Sequence, residues 1–112
     1  MHEIPETMAA VANLVDKARA RGEQTSEDDV IGAGLRNWMQ ELLDEAIEGG
    51  YLTAAWTPTG FQVTDINGTV IYAGAELVAS AQIASFKTDA HRTLMHVQTT
   101  MRQLIDTGKI PL

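Results

Sequence analysis

Apolar residues in segment 4–21 recur with a helical period. Ile4, Met8, Val11, Val15 and Ala18 are spaced four, three, four and three, which places them on one face of an α-helix. Pro5 suits a first helical turn, Ile4 is placed to staple onto Met8, and Gly22 supplies a stop after Lys17, Arg19 and Arg21. A second helix is predicted to begin at Ser26, a good N-cap. Glu27, Asp28 and Asp29 follow it and favour the positive end of a helix dipole. Its apolar face is Ile31, Leu35, Trp38, Leu42 and Ala46, widened by Met39, Leu43 and Ile47, and Gly49-Gly50 ends it. The weak point is Gly32-Ala33-Gly34, since each interior glycine costs roughly 1 kcal/mol relative to alanine. Either another backbone packs closely there or the helix breaks.

Three short strands are expected next. "YLTAAWT" (51–57) leads into a turn over Thr57–Gly60 with proline in second place. The stretch "GFQVTDINGTVIYAG" (60–74) then reads as a hairpin with two available turns. A two-residue Asn67-Gly68 loop would set Val63 opposite Tyr72. A type I turn over Asp65–Gly68, with a bulge at Gly68, would set Val63 opposite Ile71 and Phe61 opposite Ala73. The second register gathers Phe61, Val63, Ile71 and Ala73 on one face and is preferred, because one-sided burial fixes register. Asp65 would then accept backbone N–H bonds within the turn.

From 75 to 107 the pattern is helical again: Ile83, Phe86, Ala90, Leu94, Val97, Met101 and Leu104 are three or four residues apart. One straight helix of ~33 residues would span ~50 Å, longer than a domain of this size. Either Thr88-Asp89 caps a fresh helix, or a long helix packs on a second copy of the chain. The predicted fold is α+β in one domain, 1–112: two N-terminal helices, a three-stranded antiparallel meander and a long or bent C-terminal helix.

Composition narrows the chemistry. The chain has 112 residues, 45% of them hydrophobic and 21% charged, the mix of an ordinary soluble globular domain. It has no cysteine, which removes disulfides, thiolate nucleophiles and sulfur-ligated zinc. "MHEIPE" at the N-terminus lacks the pattern of a signal peptide, and no apolar run reaches membrane-spanning length. The expected location is the cytoplasm, of a cell or of an infected host. Charge is more telling. The chain carries 15 acidic and 8 basic residues, net −7. Segment 23–48 holds Glu23, Glu27, Asp28, Asp29, Glu41, Asp44, Glu45 and Glu48 against Arg36 alone, so the whole imbalance lies there. Such a chain disfavours direct contact with nucleic acid and suits a basic protein partner.

Few motifs carry chemistry. "VIGAGLRN" (30–37) imitates the start of a dinucleotide fingerprint, but Asn37 stands where the third glycine belongs and no βαβ unit surrounds it. Close helix packing or a helix break explains it better. His91 and His96 are five apart on a helix, roughly 140° around its axis, so they do not make a ligand pair, whereas His91 and Met95 share a face. Glu41, Asp44, Glu45 and Glu48, at i, i+3, i+4 and i+7, form an acidic ridge: a cation site, a surface for a basic partner, or a solvated helix face. A uniform ridge lacks the two contrasting environments that acid–base catalysis needs. Ser26, Ser80 and Ser85 are outside any nucleophile-elbow context.

Two resemblances are partial. In "GFQVTDINGTVIYAGAEL", Val63, Thr64, Asp65, Gly68, Val70, Ile71 and Tyr72 resemble the first hairpin of PAS-type sensor domains. The likeness covers about 18 of 112 residues, departs at Ala73-Gly74, and stops where 75–107 reads as helix. It implies a hairpin and brings no cofactor. Helices followed by a hairpin also resemble winged-helix modules, with the Gly32–Gly34 break as the turn and Leu35–Glu48 as recognition helix. Its acidic residues would direct such a module to protein.

The expected function is a non-enzymatic protein-binding module with no cofactor and no metal site. Glu41, Asp44, Glu45 and Glu48 would face a basic partner. Ile83, Ala90, Leu94, Val97, Met101 and Leu104 would mediate self-association into a homo-oligomer. Small inhibitors, immunity proteins and phage anti-defence proteins are analogues. The alternative is a small-ligand sensor with a pocket between sheet and C-terminal helix.

Overall fold

A computed structural model describes residues 3–112. Met1 and His2, where the reading of the N-terminus begins, lie outside the described residues. The order is α1 (Met8–Ala20), α2 (Glu27–Ala46), β1 (Thr53–Thr57), β2 (Gly60–Thr64), β3 (Val70–Gly74), α3 (Ala79–Thr88) and α4 (Ala90–Asp106). The fold is α+β, with an antiparallel sheet ordered β1-β2-β3. α2 is its axis, packing against α1, α3, α4 and β1. One core cluster runs from Val11 and Val15 through Ile31, Leu35, Met39 and Leu43 to Phe61, Val63, Phe86, Val97 and Met101. No helix of the described residues is long and apolar enough to cross a membrane.

α1 begins later than the periodicity suggests. Thr7 is the N-cap, its hydroxyl accepting the Ala10 N–H at 3.0 Å, so Pro5 lies outside the helix. Residues 3–6 form an extended strap across α2. Asn37 donates to the Glu3 carbonyl at 2.9 Å, and Pro5 is buried against Gly34. A Cβ at position 34 would stand 2.6 Å from the Pro5 ring, so only glycine admits the strap here. α2 passes unbroken through Gly32 and Gly34, which removes both the turn of a winged helix and a phosphate-cradling loop. Gly34 serves close packing of Pro5, whereas a Cβ at Gly32 would meet only Ile83 at 3.4 Å; the Gly32 carbonyl accepts the Trp56 indole N–H at 2.9 Å.

α2 starts where Ser26 predicts. Ser26 and Asp29 close a capping box, each side chain meeting the other's backbone N–H at 3.2 Å. The helix stops at Ala46, and Ile47 turns extended and buries its side chain. Gly49 and Gly50, at φ +100° and +57°, then swing the chain into β1.

The hairpin turn follows the preferred form. Gly68, at φ +81°, donates to the Asp65 carbonyl at 3.0 Å, and the Asp65 carboxylate accepts from Asn67 and Thr69. The register differs. Thr64 pairs with Val70 as that turn requires, but a bulge follows, so Val63 faces Tyr72 rather than Ile71 and Phe61 faces Gly74 rather than Ala73. A regular strand would point Ile71 and Tyr72 to opposite faces. The bulge lets both consecutive residues pack against the core, with the Phe61 and Tyr72 rings 5.4 Å apart.

The C-terminal segment is two helices. Asp89 ends α3 and caps α4, accepting the Arg92 N–H at 3.1 Å. Buried Thr93 donates to the Asp89 carbonyl, so its hydroxyl oxygen accepts from Ser85 at 2.8 Å, which pins the bend. The longest dimension, 40 Å, leaves no room for a straight 75–107 helix. The apolar stripe is consumed inside the chain: Val97 and Met101 are 0% exposed, Leu94 and Leu104 are buried, and Ile83 and Ala90 pack on the same core. Its length therefore does not call for a second copy.

Candidate functional site

The acidic segment resolves into parts with different employment. Glu27, Asp28 and Asp29 occupy the first turn of α2; Asp29 closes the capping box and Asp28 pairs with Lys87 of α3. Asp28 also holds the Lys87 ammonium above its usual pKa through their hydrogen bond. These acids build the fold.

Glu41, Asp44, Glu45 and Glu48 do not form the continuous ridge that their spacing suggests, because the helix ends before Glu48. Asp44 serves the fold, accepting from Gln40 at 2.9 Å and lying against Gly50. Gln40 itself is buried and braces the edge of the sheet, donating to the Leu52 carbonyl at 2.7 Å and accepting the Ala54 N–H at 3.0 Å. Arg36 adds a bond to the Ala54 carbonyl at 3.1 Å. Glu45 has a long 3.9 Å contact with Arg102 of α4, with both side chains well exposed. Glu48 is exposed beyond the helix end, and Glu41 is half-buried. No basic residue stands in the last turn of α2, so Asp44 and Glu45 meet the negative end of its dipole.

Two hollows open along the seam of α2 and α4. One, about 260 Å³, lies between Leu42, Glu45, Ala46, Arg102, Ile105 and Asp106, and already contains a cation. The other, about 320 Å³, is walled by Ile4 and Glu6 of the strap, Trp38 and Glu41 of α2, and His91, Leu94, Met95 and Gln98 of α4. Among the described residues, no lysine or arginine lines it. Trp38 is fixed there, its indole donating to the Leu94 carbonyl at 3.0 Å, and Met95 is 44% exposed. The sequence flagged Glu41 and the shared face of His91 and Met95. It missed Ile4 and Glu6, because only the strap brings them over α2.

Elsewhere polar pairs brace the fold. The Tyr72 hydroxyl donates to Glu76 just beyond β3. Burial and that carboxylate push the phenol up to about 12, and the hydrogen bond draws Glu76 below the ordinary carboxylate range. Both groups move away from neutral pH, the opposite of a general acid–base pair. Ser85 is engaged with Thr93, and His91 and His96 are exposed on α4. Among the described residues, no three His, Asp or Glu side chains gather as a metal site would require.

Comparison of the chain with protein-family models, with curated proteins and with solved structures finds no match.

Proposed function

We propose that the chain is a non-enzymatic protein-binding module that receives a basic partner on the face formed by the C-terminal half of α2 and the adjoining side of α4. One observation carries this: Glu45 stands in the last turn of α2, where the dipole is negative and no basic residue of that turn answers it, with Glu41 one turn before it and exposed Glu48 just past the helix end. The helix dipole opposes that placement, and the long, exposed contact of Glu45 with Arg102 offsets little of it. Acids kept where the fold disfavours them point to a use outside the fold. Asp44 contributes charge to this face but belongs first to the Gln40 brace.

Self-association through the C-terminal stripe loses its motive, since those residues fill the chain's own core. A small-ligand sensor takes second place. The hollow where the segment after β3 meets the end of α4, lined by Glu76, Thr100, Gln103, Leu104, Thr107 and Lys109, is about 200 Å³. That is below the roughly 300 Å³ at which ligand pockets begin.

The test is affinity capture from the native host with wild-type chain and with E41Q/E45Q/E48Q. A basic protein retained by wild type, released by moderate salt and lost from the triple variant at unchanged melting temperature is the expected result. Capture that survives all three changes would leave these carboxylates as solvated surface.

A further inference from the structure

We propose that the groove between the strap, α2 and α4 seats one arginine side chain of the basic partner, its guanidinium held by Glu6 and Glu41 and its stem laid on Ile4, Trp38 and Met95. This rests on the protein-binding function proposed above and narrows it to one pocket and one residue type.

The groove pairs apolar walls with two carboxylates, and His91 is the basic side chain among the described residues that line it. Its two carboxylates come from different elements, Glu6 from the strap and Glu41 from α2, and among the described residues no lysine or arginine lines the space. That is charge complementarity to a cation. The walls ask for more than a bare ion. Met95 is 44% exposed while Leu94 and Val97 beside it are buried, so α4 leaves one flexible apolar side chain facing out. Methionine adapts to varied apolar shapes. The indole N–H of Trp38 is engaged by the Leu94 carbonyl, which fixes the ring and leaves no donor to repel a cation. Indole is the best cation–π acceptor among side chains.

Arginine fits these features better than lysine. Its planar guanidinium stacks on an aromatic ring while its five donors reach two carboxylates, whereas an ammonium is a strongly hydrated point charge. The volume, about 320 Å³, lies at the small end of ligand pockets. It suits one long side chain rather than a docked helix. The neighbouring hollow lacks this character, because Arg102 already supplies its cation.

The test titrates the full isotope-labelled chain with the blocked peptide Gly-Leu-Arg-Leu-Gly and its Lys and Gln analogues, following the Trp38 indole N–H and the Met95 methyl by NMR. The Arg peptide is expected to shift both signals saturably, the Lys peptide more weakly, and the Gln peptide not at all. Replacing both groove carboxylates (E6Q/E41Q) should weaken the Arg peptide by at least about tenfold, the scale of a lost charge-assisted hydrogen bond. An equal response to the Gln peptide would overturn the proposal. If binding survives E6Q/E41Q but is lost in E45Q/E48Q, the groove is wrong and the acidic-face function stands. If it survives both variants, both readings fall. Trp38 and Met95 signals that move with protein concentration alone, accompanied by dimer in sedimentation, would make a second copy the occupant and also overturn it.

Discussion

At the N-terminal end of α2, three acidic residues fill the first turn; at its C-terminal end, Glu41, Asp44 and Glu45 fill the last two turns, with no basic residue in the last. The two clusters look alike in sequence. The first is matched to its surroundings, since the helix dipole is positive there, Asp29 caps, and Asp28 pairs across to α3. In the second, Asp44 is tied to Gln40, while Glu41 borders an apolar groove and Glu48 projects past the helix end. Net charge alone therefore says little about function. What distinguishes the clusters is whether the fold uses each carboxylate.

The two ends of α2 should respond to substitution to graded extents, most strongly at the residue of the acidic C-terminal end that does serve the fold. Gln40→Leu should be the most damaging change. It strips bonds from the buried Leu52 carbonyl and Ala54 N–H, each such orphan costing about 1–3 kcal/mol, and denaturant unfolding will measure it. A loss below about 1 kcal/mol would show that water covers the freed Leu52 carbonyl and Ala54 N–H.

Ser26→Ala should come next. It opens the capping box and should lower stability by about 1 kcal/mol without altering partner binding. A binding defect with an intact fold would extend the functional surface to the wrong end of α2.

Asp28→Asn should cost stability at neutral pH and lose that effect at high pH. The folded Lys87 pKa lies above its ordinary value because of the bond to Asp28. The stabilisation is therefore complete below the unfolded lysine pKa, around 10.5, and is lost as pH rises through the higher folded value. The wild-type advantage over D28N should shrink across that alkaline window. An advantage constant to the highest pH would mean that Lys87 is not its source.

The smallest stability effect belongs to E41Q/E45Q/E48Q. Relief at the dipole's negative end should leave the melting temperature level or raise it slightly, a few tenths of a kcal/mol per group. A clear loss of stability would place these acids with their N-terminal counterparts as parts of the fold.

Local signals carried much of the architecture. Ser26 announced a helix start and Asp65 with Gly68 announced a turn, because capping and turn chemistry act over three or four residues. Pro5 misled, since a proline compatible with a first helical turn is equally compatible with an extended strap, and Thr7 made the better cap. The stripe from Ile83 to Leu104 was legible as apolar, yet periodicity cannot say whose core it joins. The acidic ridge read from spacing was cut short by a helix end that Ile47 sets by burying itself.

Local sequence was enough for the order helix, helix, hairpin, helical segment, for the Ser26 cap, the hairpin turn and the location of the charge, all but the last consequences of near-neighbour sterics and hydrogen bonding. Only the tertiary structure decided the rest. It threaded Pro5 over Gly34, bulged β3 so that Ile71 and Tyr72 both meet the core, folded the C-terminal stripe back onto α2, and brought Glu6 to the groove beside Glu41. Each of these joins residues far apart in the chain or trades local regularity for burial, and burial is settled only when every apolar face has found its partner.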